Sequence, residues 1–202
     1  MTDVVGIVLA AGSSQRLGRP KQTLSFGSRT LLGHVVADVE ATSSLNRVVV
    51  VVGESPRFES LPGRAELVVA ATAAAGCSTS IQAGLAAAGE CRAVVLVLGD
   101  MPGVTARIID AVVDGWRTSP TWAAVTSYDT GIGHPMLFSN DAFPALRSLH
   151  GDKAVWKIVD REPEARVRRV RVAGPLPRDI DTWDDYETVC HSFGFAPEGA
   201  LG

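Results

Sequence analysis

Four apolar, mostly β-branched runs punctuate the first half of the chain: VVGIVLA (4–10), RVVVVVG (47–53), ELVVA (66–70) and AVVLVLG (93–99). They are continuous rather than alternating, as strands are when both faces are covered, and they belong inside a parallel sheet. Between them, TLLGHVVADVEAT (30–42) and STSIQAGLAAAG (78–89) carry helical spacing, the second with Ser78 placed to cap it and Gly89 placed to stop it. A third helix is expected from about Thr105 to Trp116, after Pro102. Strands alternating with helices give βαβ units and a three-layer α/β domain.

The rhythm then changes. TWAAVTSY (121–128) and HPMLF (134–138) are two short strand-like runs joined by the turn-rich DTGIG, which signals a hairpin and hence an antiparallel piece attached to the sheet. Helices over 139–150 and 152–161, a strand RVRRVRV (166–172) and a helix over 182–192 complete the expected elements. The tail GFAPEGALG (194–202) is rich in Gly and Pro and reads as loose, which leaves a single domain over 1–193.

Composition narrows the class. At 202 residues with 46% hydrophobic and 20% charged positions, the chain is an ordinary globular domain. A net charge of -3 creates no field for nucleic acid, so a polyanionic ligand has to be met by local cations or a metal. Cys77, Cys91 and Cys190 are odd in number and unpaired in spacing, which fits a reducing, cytoplasmic setting. The first strand starts almost at once, without a basic leader, and no apolar run approaches the ~18 residues of a membrane span.

The candidate chemistry begins at LAAGSSQRLGRPK (9–21), where the first strand empties into small residues followed by Arg16, Arg19 and Lys21. In an open α/β sheet this loop is the usual phosphate contact, and Ala10, Ala11, Gly12, Ser13 and Ser14 have little side chain to hold an anion off the backbone N–H groups. It is neither G-x-G-x-x-G nor a Walker A loop, because five residues separate Gly12 from Gly18 and Lys21 follows Gly18 by three. Arg16 can fork onto phosphate oxygens and Lys21 acts as a point charge; the plainer alternative is a tight turn with solvated cations. Asp100 follows the apolar run 93–99 and so stands on the same rim, placed to hold Mg²⁺ or simply to start a turn. In RDIDTWDDYE, Asp179 and Asp181 share a face if extended; Asp181 completes a metal site or caps the helix that starts at Thr182. His134 reads as a hydrogen-bonded loop residue, and Trp156 as a packing residue before a stacking one.

These residues resemble the molybdenum cofactor nucleotidyltransferases, and within them the cytidylyltransferase-like branch of the MobA-like NTP transferases. LAAGSSQRLGRPKQTL (9–24), GCSTSIQAGL (76–85), LGDMP (98–102), GHPMLF (133–138), GDKA (151–154) and DIDTWDDYE (179–187) carry the resemblance, which extends to about residue 190. It implies a Rossmann-like nucleotidyltransferase fold, mostly parallel with an antiparallel hairpin addition. It also implies transfer of a nucleoside monophosphate from an NTP to the terminal phosphate of a molybdenum-pterin, with Mg²⁺ required and pyrophosphate released. Ala11, where guanylyltransferases tend to carry a second Gly, favours CTP over GTP. Leu9, Ala10, Ala11, Gly12, Ser13, Ser14, Gly76 and Ser78 would bind nucleotide. Arg16 would meet the β- and γ-phosphates and Lys21 the α-phosphate, with Asp100 and Asp181 on the metal. A molybdoenzyme is the implied recipient, and neither nucleic acid nor membrane is a partner. Cys77 and Ala154 depart from the family's usual Met and Gly. The rival readings are a nucleotidyltransferase for another phosphorylated small molecule and a non-catalytic carrier of the molybdenum cofactor.

Overall fold

A computed structural model describes residues 3–12, 14–54, 61, 63–70, 77–151 and 154–198. The strands in chain order are β1 (Val4–Ala10), β2 (Ser25–Phe26), β3 (Arg29–Thr30), β4 (Arg47–Val52), β5 (Glu66–Val69), β6 (Ala93–Leu98), β7 (Ala123–Tyr128), β8 (Gly131–Ser139) and β9 (Val167–Arg171). The α-helices are α1 (Leu31–Glu40), α2 (Cys77–Ala88), α3 (Ala106–Thr118), α4 (Phe143–Arg147), α5 (Ala154–Val159) and α6 (Trp183–Ser192). Among the described residues no helix is long and apolar enough to cross a membrane.

The continuous apolar runs are explained by where alternate residues go. Val5, Ile7 and Leu9 of β1, Val49 and Val51 of β4, and Val94 and Leu96 of β6 pack in one core with Ile81 and Leu85 of α2. Their neighbours Val4, Val8, Val48, Val50, Val95 and Val97 pack in a second core with Val35 and Val36 of α1 and Val112 and Trp116 of α3. β1, β4 and β6 thus bury both faces, so no polar residue alternates along them. The fourth run, expected inside the sheet, is instead an edge strand, β5, with Val69 55% exposed.

The main sheet has seven strands in the order β5-β4-β1-β6-β8-β7-β9. Only β8 runs against the rest: it pairs antiparallel with β6 and with β7, while β7 and β9 are parallel. The hairpin expected from the sequence is therefore inserted with its second strand against β6, and β9 becomes the edge. Its connection is shorter than DTGIG, because Gly131, Ile132 and Gly133 already belong to β8. The helix expected over 139–150 is a 3-10 turn at Asn140–Ala142 followed by the short α4. Gly89, at a φ of 63°, does end α2, with its N–H on Leu85 O.

A third, smaller core lies off the sheet. Leu17, Leu24 and Phe26 pack there with Leu31, Ile180, Tyr186, Val189 and Cys190. It also captures the start of the tail that the sequence reads as loose. The Phe195 ring meets Phe26 edge-on at 5.0 Å, and the Glu198 carboxylate accepts from Ser25 N at 3.0 Å and Ser25 Oγ at 2.6 Å. Gly27, in the β2–β3 turn, has a φ of 62°, and a Cβ there would stand 2.8 Å from the Phe195 ring. Gly27→Ala is expected to cost about 1–2 kcal/mol, because left-handed backbone and a ring clash combine. Thermal unfolding should then fall by about 2–8 °C, and an unchanged Tm would show that the tail does not dock on this turn.

Candidate active site

β1 is flanked by parallel β4 on one side and parallel β6 on the other, so the chain leaves the sheet in opposite directions around it. That is the switch point at which open α/β sheets hold ligands. Ala11 and Gly12 emerge there from β1, Gly99 and Asp100 from β6. The two ends are close: Gly99 N donates to Leu9 O at 2.9 Å, and a Cβ on Gly99 would stand 2.8 Å from that of Ala10.

Lys21 is delivered by a 3-10 turn, Lys21–Thr23, entered from Pro20 in extended conformation. Ser14, with a φ of 51°, accepts the Lys21 N–H on its Oγ at 3.0 Å. Buried Gln22 donates from Nε2 to the carbonyls of Ala10 at 2.8 Å and Gly12 at 3.0 Å, which fixes two peptide planes of the loop. Asp181 comes from 160 residues further along the chain. The third core makes this meeting possible, since Leu17 and Leu24 of the opening segment pack with Ile180 and with Tyr186 of α6. Thr182 and Asp185 form a reciprocal capping box at the start of α6. The capping position is thus taken by Thr182, which leaves the Asp181 carboxylate free for the rim.

The charges interlock. Lys21 Nζ lies 2.5 Å from Asp100 Oδ2, 2.9 Å from Asp181 Oδ1 and 2.9 Å from Ile180 O, and Arg16 Nη2 lies 2.6 Å from Asp181 Oδ2. Lys21 is buried while Arg16 remains 67% exposed. Burial disfavours the Lys21 ammonium, but the Asp100 and Asp181 carboxylates outweigh it and hold its pKa above the ordinary value. Burial pushes the Asp100 carboxyl up, against the pull of Lys21. Asp181 is pushed up by burial as well, yet hydrogen bonding and charge from Lys21, with Arg16, bring it below the usual carboxylate range. Arg19, the third cation of the opening loop, pairs with Glu198 at 3.0 Å. The three cations that the sequence sets beside the loop therefore each face a carboxylate, and the rim carries no surplus positive charge from them.

Three adjoining concavities follow the rim. Leu9, Ala10, Ala11, Gly12 and Asp100 line one of about 160 Å³, together with Gln22, Cys77 and Ser80. Gly12, Ser14, Arg16, Lys21 and Asp181 line a second of about 260 Å³. A third, of about 480 Å³, is walled mainly by apolar groups including Met101, Trp156 and Leu176, with His134 and Asp179 as polar members. Ser13 and Gly76 lie outside the described residues, as do Asp152 and Lys153 of the GDKA segment. Ser78 is not the cap that the sequence predicts. α2 starts at Cys77, so Ser78 is inside the helix and buried, and Cys77 and Ser80, one helical turn apart, face the crevice instead. Sequence reading missed Gln22, whose only signal is its place beside Lys21, and the Ile180 carbonyl, which has none. Trp156 packs against the first core with one part of its surface and lines the large cleft with another. His134 is buried, with Nδ1 3.1 Å from Leu96 O.

The chain is similar to proteins of several names. It is 30% identical to the nicotine blue oxidoreductase of Paenarthrobacter nicotinovorans, over 92% of this chain and 93% of that one. It is 31% identical to the molybdenum cofactor guanylyltransferase of Mesorhizobium japonicum, over 78% and 77%. Among solved structures, Rv0371c of Mycobacterium tuberculosis H37Rv in complex with manganese superposes with a TM-score of 0.81 at 33% identity, over 95% of this chain and all of that one. The model of the MobA-like NTP transferase domain matches residues 6–167, a span that holds the small-residue loop, Lys21 and Asp100, and this chain is a nucleotidyltransferase-family protein of that kind.

Proposed function

We propose that the protein transfers a nucleoside monophosphate, CMP by preference, from an NTP to the terminal phosphate of a molybdenum-pterin and releases pyrophosphate. The observation that carries this reading is the convergence of Lys21, Arg16, Asp100 and Asp181 at the mouth of a loop of small residues. The guanylyltransferase relative supports a molybdenum-pterin acceptor, and Ala11 supports CTP. A cytoplasmic setting, with a molybdoenzyme as recipient, belongs to the same proposal.

A divalent cation, proposed as Mg²⁺, fits the residues present. Asp100 and Asp181 already share one cation, the Lys21 ammonium, and Asp100 Oδ1 is buried without a hydrogen-bond partner. Two carboxylates are the usual protein share of a Mg²⁺ site, the rest coming from phosphates and water. A rim whose cations are each matched by a carboxylate also needs added positive charge before it attracts a triphosphate. Bound there, the cation would supply Lewis-acid charge to phosphate oxygens. Use of such an ion is supported by the manganese complex of the Rv0371c relative.

An acceptor phosphate is already an anionic nucleophile, so the chain needs no general base; it has to align two anions and offset their repulsion. Backbone N–H groups of Gly12, Ser13 and Ser14 are assigned to the triphosphate and exposed Arg16 to its outer phosphates. Lys21 is assigned to the α-phosphate, where charge builds in the transition state. The large cleft adjoins the loop through Leu9, Cys77 and Leu98 and takes the body of the acceptor. Among the described residues Asp179 is its one charged lining residue, and with its apolar walls this suits a flat heterocycle bearing N–H donors better than a phosphosugar.

Pyrophosphate release from CTP, GTP and ATP with Mg²⁺, with and without molybdenum cofactor, tests the proposal. Release that requires both CTP and the cofactor is expected. Tight cofactor binding with no release from any nucleotide would make the protein a carrier, and release with another phosphorylated acceptor would reassign the substrate.

A further inference from the structure

The Lys21 ammonium has three protons to donate, and all three directions are taken: Asp100 Oδ2 at 2.5 Å, Asp181 Oδ1 at 2.9 Å and Ile180 O at 2.9 Å. As it stands, Lys21 has no donor left for a phosphate. Nor can Asp100 and Asp181 offer these two oxygens to a metal while the ammonium holds them, because two cations at one position repel. Asp100 Oδ1 stays without a partner, but Asp181 Oδ2 is held by Arg16, so a metal cannot reach both carboxylates in this arrangement without displacing a cation, and a conformational step separates the two roles.

We infer that Lys21 is an exchangeable internal cation: it occupies the Asp100–Ile180–Asp181 oxygen cage until a divalent metal arrives with the nucleotide, then leaves the cage for the nucleotide phosphate. The inference rests on the nucleotidyl-transfer reading for the identity of the incoming pair, but on geometry alone for the exchange. The place Lys21 moves to is within reach of the cage, since the Lys21 side chain lines both the loop crevice and the Arg16–Asp181 concavity. Exchange conserves charge balance. Metal alone must evict a hydrogen-bonded ammonium with nothing to receive it, whereas metal with a triphosphate supplies a new anion for the displaced Lys21. Metal and nucleotide then bind with positive coupling, each tightening the other by the same factor. Ahead of catalysis, the same pairing keeps two carboxylates from repelling one another across the open rim.

The experiment is Mn²⁺ binding followed by its electron paramagnetic resonance signal, without acceptor. In the wild type, a non-hydrolysable methylene analogue of CTP should tighten Mn²⁺ binding by roughly 5- to 150-fold, the usual range of such couplings. Lys21→Met keeps the apolar stem and removes the competitor, so without nucleotide it should bind Mn²⁺ more tightly than the wild type does. Lys21→Gln, which keeps a donor for Ile180 O, should behave in the same direction and stands in if the Met variant does not fold. Asp100→Asn should abolish the signal change and so show that the ion is read at this cage. Equal or weaker Mn²⁺ binding in both Lys21 variants, or absence of metal–nucleotide coupling in the wild type, overturns the exchange. Failure of the acceptor assignment would leave these metal titrations unchanged, so the two proposals fail separately.

Discussion

Asp100→Asn is expected to lower kcat/KM for nucleotidyl transfer by roughly 10²–10³-fold, the loss typical of one charge-stabilising group in a transition state. The side chain keeps its shape and an oxygen for Lys21 but loses the charge that a divalent cation needs. The fold should survive the change, because Lys21 retains Asp181 at 2.9 Å and Ile180 O at 2.9 Å and is not left as an unpaired buried charge. Burial also makes the ionised Asp100 carboxylate unfavourable in the folded state, so its neutral amide replacement removes a cost. Steady-state kinetics beside thermal unfolding checks both halves. Near wild-type turnover would remove Asp100 from the chemistry, and a collapse of Tm with activity would make it a structural residue instead.

Lys21→Ala should cost a similar roughly 3–4 kcal/mol in the transition state, expressed mainly in kcat because the charge it answers builds at the α-phosphate during reaction. Unlike Asp100→Asn, it should also destabilise the protein. Its removal leaves the buried Asp100 carboxylate with no cation in contact, and breaking a buried pair from one side costs about 3–5 kcal/mol. The effect has a sign in pH. Burial already raises the Asp100 pKa, and Lys21 is the main group opposing that rise, so the variant's folded-state pKa goes higher still. A carboxyl raised in the folded state binds its proton there before the unfolded chain does, so stability is gained as pH falls and lost as pH rises through the folded pKa. Urea unfolding at pH 5.5 and 7.5 should show the gap between Lys21→Ala and wild type narrowing at the lower pH. A gap that does not change would mean that Asp100 is not the group left exposed to burial.

Much of this was legible along the chain because it is local. Strand β1 begins and ends where its apolar run does, at Val4 and Ala10, and the βα alternation through α3 follows from segments whose spacing is fixed within ten or so residues. The small-residue loop and Asp100 could be placed on one rim for the same reason, since each follows directly from a strand. Even so, the local signal misplaced the cap at Ser78. Helix α2 includes Cys77, so Ser78 lies within it rather than ahead of it, and each residue turns the side chain by about 100° around a helix, which puts Ser78 in the interior and Ser80 at the crevice.

What the chain could not state by itself is which distant groups would meet. RDIDTWDDYE offers Asp179 and Asp181 as alternatives, and the sequence left capping and metal readings of Asp181 both open. The tertiary structure divides them: Thr182 and Asp185 cap α6, Asp179 turns to the large cleft, and Asp181 reaches Lys21 and Arg16. The division comes from the third core, where Leu17, Leu24 and Phe26 find Ile180 and Tyr186, and burial of apolar surface has no sequence-local mark of its partner. The same is true of Glu198, which docks on Ser25 from a stretch whose Gly and Pro content signals only looseness. The sequence by itself determined the sheet strands, the loop and the kinds of charge available to it. The tertiary structure decided that those charges neutralise one another, because only packing against a segment 160 residues away adds the Asp181 carboxylate to the contact between the Lys21 ammonium and Asp100.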